Sequence, residues 1–300
     1  MTPLPRITVV TPSFNQAPFL RDTIESVLGQ GYPDLEYIIM DGGSTDGSAE
    51  IIKEYAPRLT YWQSAKDGGQ AAAINAGFAR ATGSILAWLN SDDYYLPGTL
   101  RAVAELLDPA RAGLLLGNCL HVHEEKWRVR GSDVPLRHRQ MRLATTDYII
   151  QPSSFWTKAA WDKVGTLDEK LQYVFDWDWF IRCVEAGVEI TTTPRYFAAY
   201  RIHAGHKSGT GAGKRNEEVR EIYTRHSPPH ILKLHDDYWS HMLRVVRVRK
   251  WIRNLRVNRM VPTERLLKWF LPDIFGRVPE QDIRDYLGLI NDRPRSRKNP

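Results

Sequence analysis

Two adjacent carboxylates follow a short apolar run in the first third of the chain. In the stretch ILAWLNSDD, the run from Ile85 to Leu89 is followed by Asn-Ser and then by Asp92 and Asp93. Successive side chains of a strand point to opposite faces of the sheet, and two adjacent carboxylates repel each other. We therefore expect a bend in the backbone here and a positively charged partner for the pair. A divalent cation such as Mg²⁺ or Mn²⁺, held by one or two carboxylates and by ligand phosphates, supplies that partner. We therefore predict a metal site at Asp92 and Asp93, with a solvated acidic turn as the alternative.

Two further aspartates each precede a pair of glycines. The stretch MDGGSTDGS contains Asp41, and the stretch KDGGQ contains Asp67. Glycines let the backbone turn sharply, and a helix that begins there favours anionic groups. We predict that Asp41 accepts a hydrogen bond from a ligand, such as a nucleobase N–H, and that Asp46 caps the next helix. Asp67 either binds the same ligand or caps a helix.

The elements that must position these acids alternate between strand and helix. A segment with apolar residues at strand spacing is followed by a segment with apolar residues at helical spacing, and this order occurs three times before Asp92. This alternation predicts an α/β fold with a doubly wound, mostly parallel sheet, in which ligands bind beyond the carboxyl ends of the strands. The predicted pairs are Ile7–Thr11 with a helix over Phe19–Gly29, LEYIIMD with a helix over Ser48–Tyr55, and LTYWQS with a helix over Gln70–Ala81.

Composition and charge restrict the classes of protein that the chain can represent. Its 300 residues are 42% hydrophobic and 25% charged, which is typical of a soluble globular protein. The net charge of +6 suggests an anionic partner, such as a nucleotide, a nucleic acid or an anionic lipid. Cys119 and Cys183 are the only cysteines, which excludes a disulfide framework and a four-cysteine zinc site and favours a reducing compartment.

Neither a leader sequence nor a membrane span is predicted. The N-terminal stretch MTPLPRITVV lacks the basic and apolar regions of a signal peptide. No apolar run reaches the roughly 18 residues of a spanning helix. We therefore expect a cytoplasmic protein. The turn TPSFNQAPF after the first strand lacks Gly-x-Gly-x-x-Gly, which argues against a dinucleotide-binding fold.

Four motifs, in order along the chain, resemble those of the family-two glycosyltransferases, which are inverting enzymes of GT-A fold that use sugar nucleotides. The motifs are ITVVTPSFNQAPFLRDTIESVLGQ, DGGSTDGS, KDGGQAAAINAGFARATGSILAWLNSDD and FDWDWFIRC. The resemblance covers about Ile7 to Ser208. It implies a Rossmann-like GT-A domain, with a mostly parallel sheet flanked by helices, over residues 1–210. Residues 211–300 are then expected to form a basic, helical C-terminal extension.

The resemblance also implies a nucleotide-binding site at the first strand ends. It places Thr11, Pro12, Asn15 and Asp41 along the nucleotide and Asp67 near the base or the ribose.

A metal site at the next strand end is implied as well. The family often has aspartate where this chain has Asn90, so the resemblance assigns the metal to Asp92 and Asp93, with Asp92 also facing the nucleotide diphosphate. In the stretch YRIHAGHKS, His203 is the better candidate for a further metal or diphosphate contact, and His206 is the weaker one.

The catalytic base implied by the resemblance is Asp176, at the start of a helix. The Glu-Asp pair that is familiar in the family has become Phe175 and Asp176, so one supporting acid is missing. Asp178 is a competitor, but two residues along a helix its side chain points elsewhere. Trp177 and Trp179 are either core residues or a platform for the acceptor.

These predictions together describe an enzyme that moves one sugar from a nucleotide donor, expected to be a UDP-sugar, to a glycan or lipid-linked acceptor. A carboxylate takes the proton of the acceptor hydroxyl, while a divalent metal neutralises the leaving diphosphate in a single displacement with inversion. Two other functions fit the sequence, namely a nucleotide-sugar-binding module without catalysis and a nucleotidyltransferase, which would release pyrophosphate. No nucleic-acid partner is expected.

The segment from Met242 to Phe270 is strongly basic and amphipathic. It contains nine Lys and Arg residues and a single acid, Glu264. Such helices lie on anionic membrane surfaces, so a peripheral location on the inner face of the membrane is one prediction. Packing against the catalytic domain and a subunit interface are the alternatives.

Overall fold

The computed structural model describes residues 4–123, 128–203, 212–255, 258 and 261–290. The candidate ligand His206 and the glycine-rich stretch around it lie outside this part of the chain. Residues 256–257 and 259–260 of the basic segment lie outside it as well.

The chain divides into two compact units. The first contains Met1–Arg139 and Ile149–Arg215, and the second contains Gln140–Tyr148 and Asn216–Pro300. No sequence pattern indicated that Gln140–Tyr148 belongs with the C-terminal part of the chain. The division into 1–210 and 211–300 stays a prediction.

A single sheet runs through the first unit, and nine strands belong to it within the part of the chain that is described. Its order is β3-β2-β1-β4-β8-β6-β9-β5, and β7 pairs with β6. The half formed by β3, β2, β1 and β4 is parallel, as the alternating pattern predicted, and β8 joins it to a mixed half. The strands are β1 (Ile7–Ser13), β2 (Leu35–Asp41), β3 (Tyr61–Ser64), β4 (Ile85–Trp88), β5 (Tyr94–Tyr95), β6 (Gly113–His123), β7 (Arg128–Gly131), β8 (Ser154–Thr157) and β9 (Glu189–Ile202).

The predicted helices between the strands are confirmed, with bounds shifted by a few residues. The Ala-rich helix after the third strand packs closely on the sheet. Glycine at position 77 permits this, since a Cβ atom there would lie only 2.5 Å from Val10 Cγ1. The helices before residue 189 are α1 (Ala17–Leu28), α2 (Ser48–Tyr55), α3 (Gln70–Phe78), α4 (Thr99–Leu106), α5 (Val134–Gln140), α6 (Lys158–Val164) and α7 (Phe175–Glu185).

The core of the first unit lies on both faces of the sheet. All seven residues of β1 and six of the seven in β2 are buried, as expected for strands of a parallel sheet that is covered on both faces. Beneath α3 and α7 the core is aromatic, with Trp88 and Trp156 ring centroids 5.1 Å apart and Phe78 at 5.8 Å from Trp156.

The second unit is helical, as predicted for the C-terminal region. Its segment 140–148 is tied to the helices by the Tyr223 hydroxyl, which donates to the Thr145 carbonyl at 3.1 Å, and by an ion pair between Arg142 and Asp282. None of the helices described is long and apolar enough to cross a membrane. The helices after residue 210 are α8 (Ala212–His226), α9 (Pro229–Ser240), α10 (Met242–Asn254), α11 (Thr263–Phe270), α12 (Pro272–Phe275) and α13 (Glu280–Ile290).

Candidate functional site

The loops after β1 and β2 are joined to each other by Asn15. Its backbone has a φ of 52°, in the left-handed region that asparagine tolerates better than most residues. The Asn15 N–H donates to Ser44 Oγ at 2.8 Å, and Asn15 Oδ1 accepts from the Thr45 N–H at 2.9 Å. Asp46 completes the junction by accepting from the N–H of Ala17, the first residue of α1, at 2.9 Å.

Asp46 also contacts the start of α2, although the N-cap residue of this helix is Gly47 and not Asp46. Its Oδ1 accepts from the Ser48 N–H at 3.1 Å and from the Ser48 hydroxyl at 2.6 Å. Burial alone would raise its pKa, but the hydrogen bonds from Ser48 and Ala17 outweigh burial and hold the pKa of Asp46 below its usual value. This carboxylate therefore supports the loop rather than a ligand.

Asp41 is buried at the end of β2 and organises the same loop. Its carboxylate accepts from the N–H groups of Gly43 and Ser44, at 3.2 and 2.9 Å, and from the hydroxyls of Ser44 and Ser64, at 2.5 and 2.6 Å. Both oxygens are thus already engaged by protein donors. A contact between Asp41 and a nucleobase stays a prediction.

Thr11 and Pro12 lie inside the sheet. Both side chains are buried, and Thr11 Oγ1 lies 3.0 Å from the hydroxyl of Tyr37. Burial raises the pKa of Tyr37, so this phenol stays neutral. If Thr11 or Pro12 contacts a nucleotide, the contact must come from the backbone at the strand end.

Phe14 is a candidate that sequence reasoning missed. Its side chain is 61% exposed directly after β1, which is unusual for a large aromatic residue. A Cβ atom on Gly42 would lie 3.3 Å from the Phe14 ring and 3.1 Å from the Asp67 carboxylate, so Gly42 lets both side chains approach the loop. Asp67 also accepts from the Gly69 N–H at 2.8 Å. The structure therefore brings Asp67, Phe14 and the Asp41 loop together at one edge of the sheet.

Asn90 is held by amides on both sides. Its Oδ1 accepts from Gln70 Nε2 at 2.8 Å, and its Nδ2 donates to Gln151 Oε1 at 3.4 Å. Gln151 in turn donates to the carbonyl of Trp88 at 2.8 Å. An aspartate at position 90 has no N–H to donate to Gln151, and this accounts for asparagine at a position where an acid was expected.

The two adjacent aspartates have different environments. Asp93 is fully buried, its Oδ1 accepts from the Arg201 N–H at 2.9 Å, and its Oδ2 has no hydrogen-bond partner in the part of the chain that is described. Burial, reinforced by the charge of Asp92, raises the pKa of Asp93 well above its usual value. Asp92 remains partly exposed. The turn thus separates the like charges by sending one carboxylate into the interior.

His203 lies against Asp92 of the acidic turn. Its Nε2 lies 3.2 Å from Asp92 Oδ2, although 111 residues separate the two in sequence. The approach follows from the sheet, because β5, directly after Asp93, pairs with β9, which ends just before His203. The structure therefore brings together two of the three predicted metal ligands, and metal binding by Asp93 stays a prediction.

Helix α1 fixes this arrangement from one side. Thr23 Oγ1 donates to the carbonyls of Ser91 and Asp93, at 2.9 and 2.7 Å. The Phe19 ring lies 4.3 Å from the His203 ring, measured between centroids. Sequence periodicity assigned Phe19 only to the apolar face of a helix, and nothing local signals that its ring packs on a histidine in a distant strand.

Arg201 contacts both helix α1 and the acidic turn. Its guanidinium lies 5.2 Å from the centroid of Phe19 and 5.0 Å from that of Tyr94, and it donates twice to Asp22 Oδ2 at 3.1 Å. Since the Arg201 N–H also binds Asp93, this one residue links α1, the acidic turn and the strand that carries His203. The position of His203 is therefore set by packing as well as by chain connection.

Carboxylate and imidazole donors suit a divalent transition metal such as Mn²⁺. Asp92 and His203 are both partly exposed and lie within 3.2 Å of each other, so the pair fits such an ion. No cluster of three or more His, Cys, Asp or Glu side chains with metal-binding geometry occurs among the residues that are described. Any further ligands would then come from the substrate or from water, as is usual for such ions in phosphate-binding sites.

Asp176 lies in the first turn of α7, and it is the one residue between Val174 and Ile181 that is not buried. The Trp177 N–H donates to Asp176 Oδ1 at 2.8 Å. The Phe175 ring lies 6.2 Å from that of Trp88, which brings the start of α7 to the end of β4. Asp176 is thus partly exposed to solvent at the edge of the sheet that carries Asp92.

Asp178 is excluded as a solvent-facing base by its surroundings. It is buried, and its Oδ2 accepts from Arg182 Nε at 2.8 Å. Arg182 also donates to the carbonyls of Val164 and Thr166, so the pair anchors α7 to the loop after α6. Trp177 and Trp179 are buried too, which assigns them to the core and shows that the alternative of an acceptor platform was wrong.

Comparison with known proteins assigns the chain to a family. The sequence model described as "Glycosyl transferase family 2" matches residues 8–161, which is more than half of the chain. An uncharacterized glycosyltransferase of Nostoc sp. is 28% identical over 231 residues, or 71% of this chain and 70% of the relative.

Two solved structures share the fold. The Staphylococcus aureus TarS 1–349 fragment in complex with UDP-GlcNAc has a TM-score of 0.62 at 18% identity, over 95% of this chain and 90% of that one. The mannosyltransferase PcManGT of Pyrobaculum calidifontis, in complex with GDP-Man and Mn²⁺, has a TM-score of 0.59 at 19% identity, over 97% of this chain and 89% of that one. The family that the sequence motifs indicated is therefore confirmed: the chain belongs to glycosyltransferase family 2 and is a glycosyltransferase of GT-A fold.

Proposed function

We propose that this enzyme transfers one sugar from a nucleoside diphosphate donor, a UDP-sugar, to a hydroxyl group of a glycan or of a lipid-linked saccharide, with inversion at the anomeric carbon. The observation that carries the proposal is the arrangement of three side chains at one edge of the sheet. Asp92 and His203 follow strands and lie 3.2 Å apart, and Asp176, which is partly exposed, lies in the first turn of α7. The UDP-GlcNAc complex of the TarS fragment supports a uridine donor.

The nucleoside is proposed to bind over the loops after β1 and β2. Phe14 offers an exposed ring on which a nucleobase can stack, beside the Asp67 carboxylate and the Asp41 loop. Asn15 holds the two loops in register and so fixes the distance between Phe14 and Asp41. Asp67, which is exposed, can accept from a ribose hydroxyl or a base N–H.

The diphosphate is proposed to lie against Asp92 and His203. These side chains would hold a divalent ion, Mn²⁺ or Mg²⁺, and such an ion when bound neutralises the charge that develops on a leaving diphosphate. The Mn²⁺ complex of the mannosyltransferase supports this assignment. Asp93 and Thr23 lie behind the pair and hold the turn that presents Asp92.

Asp176 is proposed as the general base. An acceptor hydroxyl is a weak nucleophile, and a carboxylate within hydrogen-bond reach removes its proton as the new bond forms. Of the two acids in the first turn of α7, Asp176 is the one that is not buried, because Asp178 lies in the interior and accepts from Arg182. Attack opposite the leaving group then gives a single displacement without a covalent enzyme intermediate.

Product analysis tests the proposal directly. The full chain is incubated with UDP-, GDP- and dTDP-sugars and Mn²⁺, with water or a mixed glycan extract as acceptor, and the released nucleotide and the anomeric configuration of the product are determined. We expect nucleoside diphosphate release, fastest with a UDP-sugar, and an inverted product. Release of pyrophosphate would instead identify a nucleotidyltransferase, and nucleotide binding without any turnover would identify a binding module.

A lipid-linked acceptor would require the enzyme to work at a membrane. We therefore also propose a cytoplasmic enzyme that associates peripherally with the inner face of the membrane, and the basic C-terminal helices are the region that supports this proposal.

A further inference from the structure

Helix α10 has two different stripes along its length. Val245 and Ile252, seven residues apart, are buried and attach the helix to the second unit. The opposite stripe is exposed and combines apolar with basic side chains, Leu243 being 76% exposed and Trp251 47% exposed. Spacings of three, four and seven residues place these side chains on one side of the helix. The exposed stripe consists of Leu243, Val246, Arg247, Lys250 and Trp251.

Helix α11 extends this surface. Trp269 is 63% exposed at its end, and the adjacent Phe270 is also exposed. The rings of Phe270 and Trp251 meet edge to face, with centroids 5.0 Å apart, so the two helices present their aromatic residues together. We call the exposed stripe of α10 together with Trp269 and Phe270 the basic apolar face.

The charge of the basic apolar face has one sign. No acidic residue occurs between Met242 and Asn254. Arg244 is paired with Asp273, but no ion pair joins Arg247, Lys250 or Arg253 to any residue that the structure describes. Arg247 and Lys250 of the basic apolar face, and Arg253 beside it, therefore face solvent without compensating acids, next to large exposed apolar side chains.

Exposed apolar residues of this size mark an interaction surface, and the surrounding charge selects the partner. An interface between copies of this chain would bring the same uncompensated cations together, because the same patch meets itself across a two-fold axis. A bilayer that contains anionic lipids fits both features, since leucine and tryptophan insert at the level of the headgroups while lysine and arginine bind the lipid phosphates. We propose that the basic apolar face is the surface by which this enzyme docks on an anionic membrane, an inference that rests on the peripheral location in the proposed function.

The test is co-flotation of the full chain with vesicles of phosphatidylcholine alone and of phosphatidylcholine with rising fractions of phosphatidylglycerol. We expect binding that rises with the anionic fraction and weakens at high salt, because the electrostatic part is screened. Replacing both Arg247 and Lys250 by glutamine is expected to lower the partition coefficient about 25-fold, at about fivefold per basic residue. Leu243→Gln is expected to lower it about tenfold by removing an inserted side chain.

The matched control changes charge elsewhere. Arg101→Gln combined with Lys170→Gln removes two exposed cations that have no described ion pair, and it is expected to leave vesicle binding within about twofold of the parent. Circular dichroism and turnover on a soluble acceptor check that each variant is folded, and they also separate a failure of docking from a failure of the proposed function.

Two results would overturn the docking proposal. The first is a parent protein that stays with the soluble fraction at every phosphatidylglycerol content. The second is a protein that is oligomeric by light scattering and becomes monomeric on Leu243→Gln without any change in vesicle binding, which would identify the face as a subunit contact.

Discussion

Neutralising the two acids in the first turn of α7, Asp176 and Asp178, one at a time separates chemistry from folding. Asp176→Asn keeps the size of the side chain and its ability to accept from the Trp177 N–H, but it removes the basic carboxylate. General-base catalysis contributes about 10²- to 10⁴-fold, so we expect turnover to fall by that factor, which is about 3 to 5 kcal/mol of transition-state stabilisation. Stability is expected to stay within about 0.5 kcal/mol, because Asp176 is not buried.

The matched variant is Asp178→Asn, and the structure predicts the opposite outcome. Asp178 is buried and accepts from Arg182 at 2.8 Å, while Arg182 ties α7 to Val164 and Thr166. A charge-assisted bond of this kind is worth roughly 1 to 3 kcal/mol, and we expect that loss of stability. Turnover of the folded fraction is expected to change by less than about tenfold, because the side chain does not reach solvent.

Three measurements decide between these outcomes. Urea unfolding gives the change in stability, calorimetric titration with UDP gives nucleotide affinity, and nucleoside diphosphate release gives turnover. Asp176→Asn should bind UDP like the parent, since a base acts in the transition state rather than in ground-state binding. If Asp176→Asn retains full turnover, or if Asp178→Asn is as inactive as Asp176→Asn while remaining stable, the assignment of the base is wrong.

Further predictions concern the metal pair, the turn behind it and a buried histidine. Excess chelator should abolish turnover, and full activity in chelator would contradict the proposed metal dependence. Asp92→Asn and His203→Gln should each weaken Mn²⁺ binding by about tenfold or more, as measured by electron paramagnetic resonance. Thr23→Val leaves the Ser91 and Asp93 carbonyls without the hydroxyl and should cost about 2 to 3 kcal/mol in urea unfolding, whereas Thr23→Ser should cost about 1 kcal/mol, so equal losses would refute the role of the hydroxyl. Burial lowers the pKa of His235 to about 4, so as the pH falls the unfolded chain is protonated at this residue before the folded chain is. The contribution of the neutral, buried His235 to stability is therefore complete above about pH 6.5. It is lost as the pH falls towards 4, at up to about 1.4 kcal/mol per pH unit. His235→Gln should flatten this dependence, and an unchanged slope in unfolding measured across that range would exclude His235 as its source.

The sequence by itself determined the order of the elements in the first half of the chain and the edge of the sheet at which the candidate site residues lie. Strand and helix periods are local properties, so each pair from β1 with α1 to β3 with α3 could be read within a window of a few turns. Parallel strands present their carboxyl ends at one edge, and the positions of Asp41, Asp67 and Asp92 after three such strands suffice to predict that they lie near one another. The family followed from the same motifs, because they occur together and in order.

Only the tertiary structure decided what each of these side chains does. Asp92 and Asp93 are adjacent in sequence and carry the same charge, yet Arg201, more than a hundred residues away, draws Asp93 inward and leaves Asp92 facing His203. In the same way Arg182 holds Asp178 in the interior, whereas Asp176, two residues earlier, is partly exposed. These outcomes depend on packing between distant segments, since burial and hydrogen-bond partners arise only when β9, α1 and the acidic turn meet, and no local pattern carries that information.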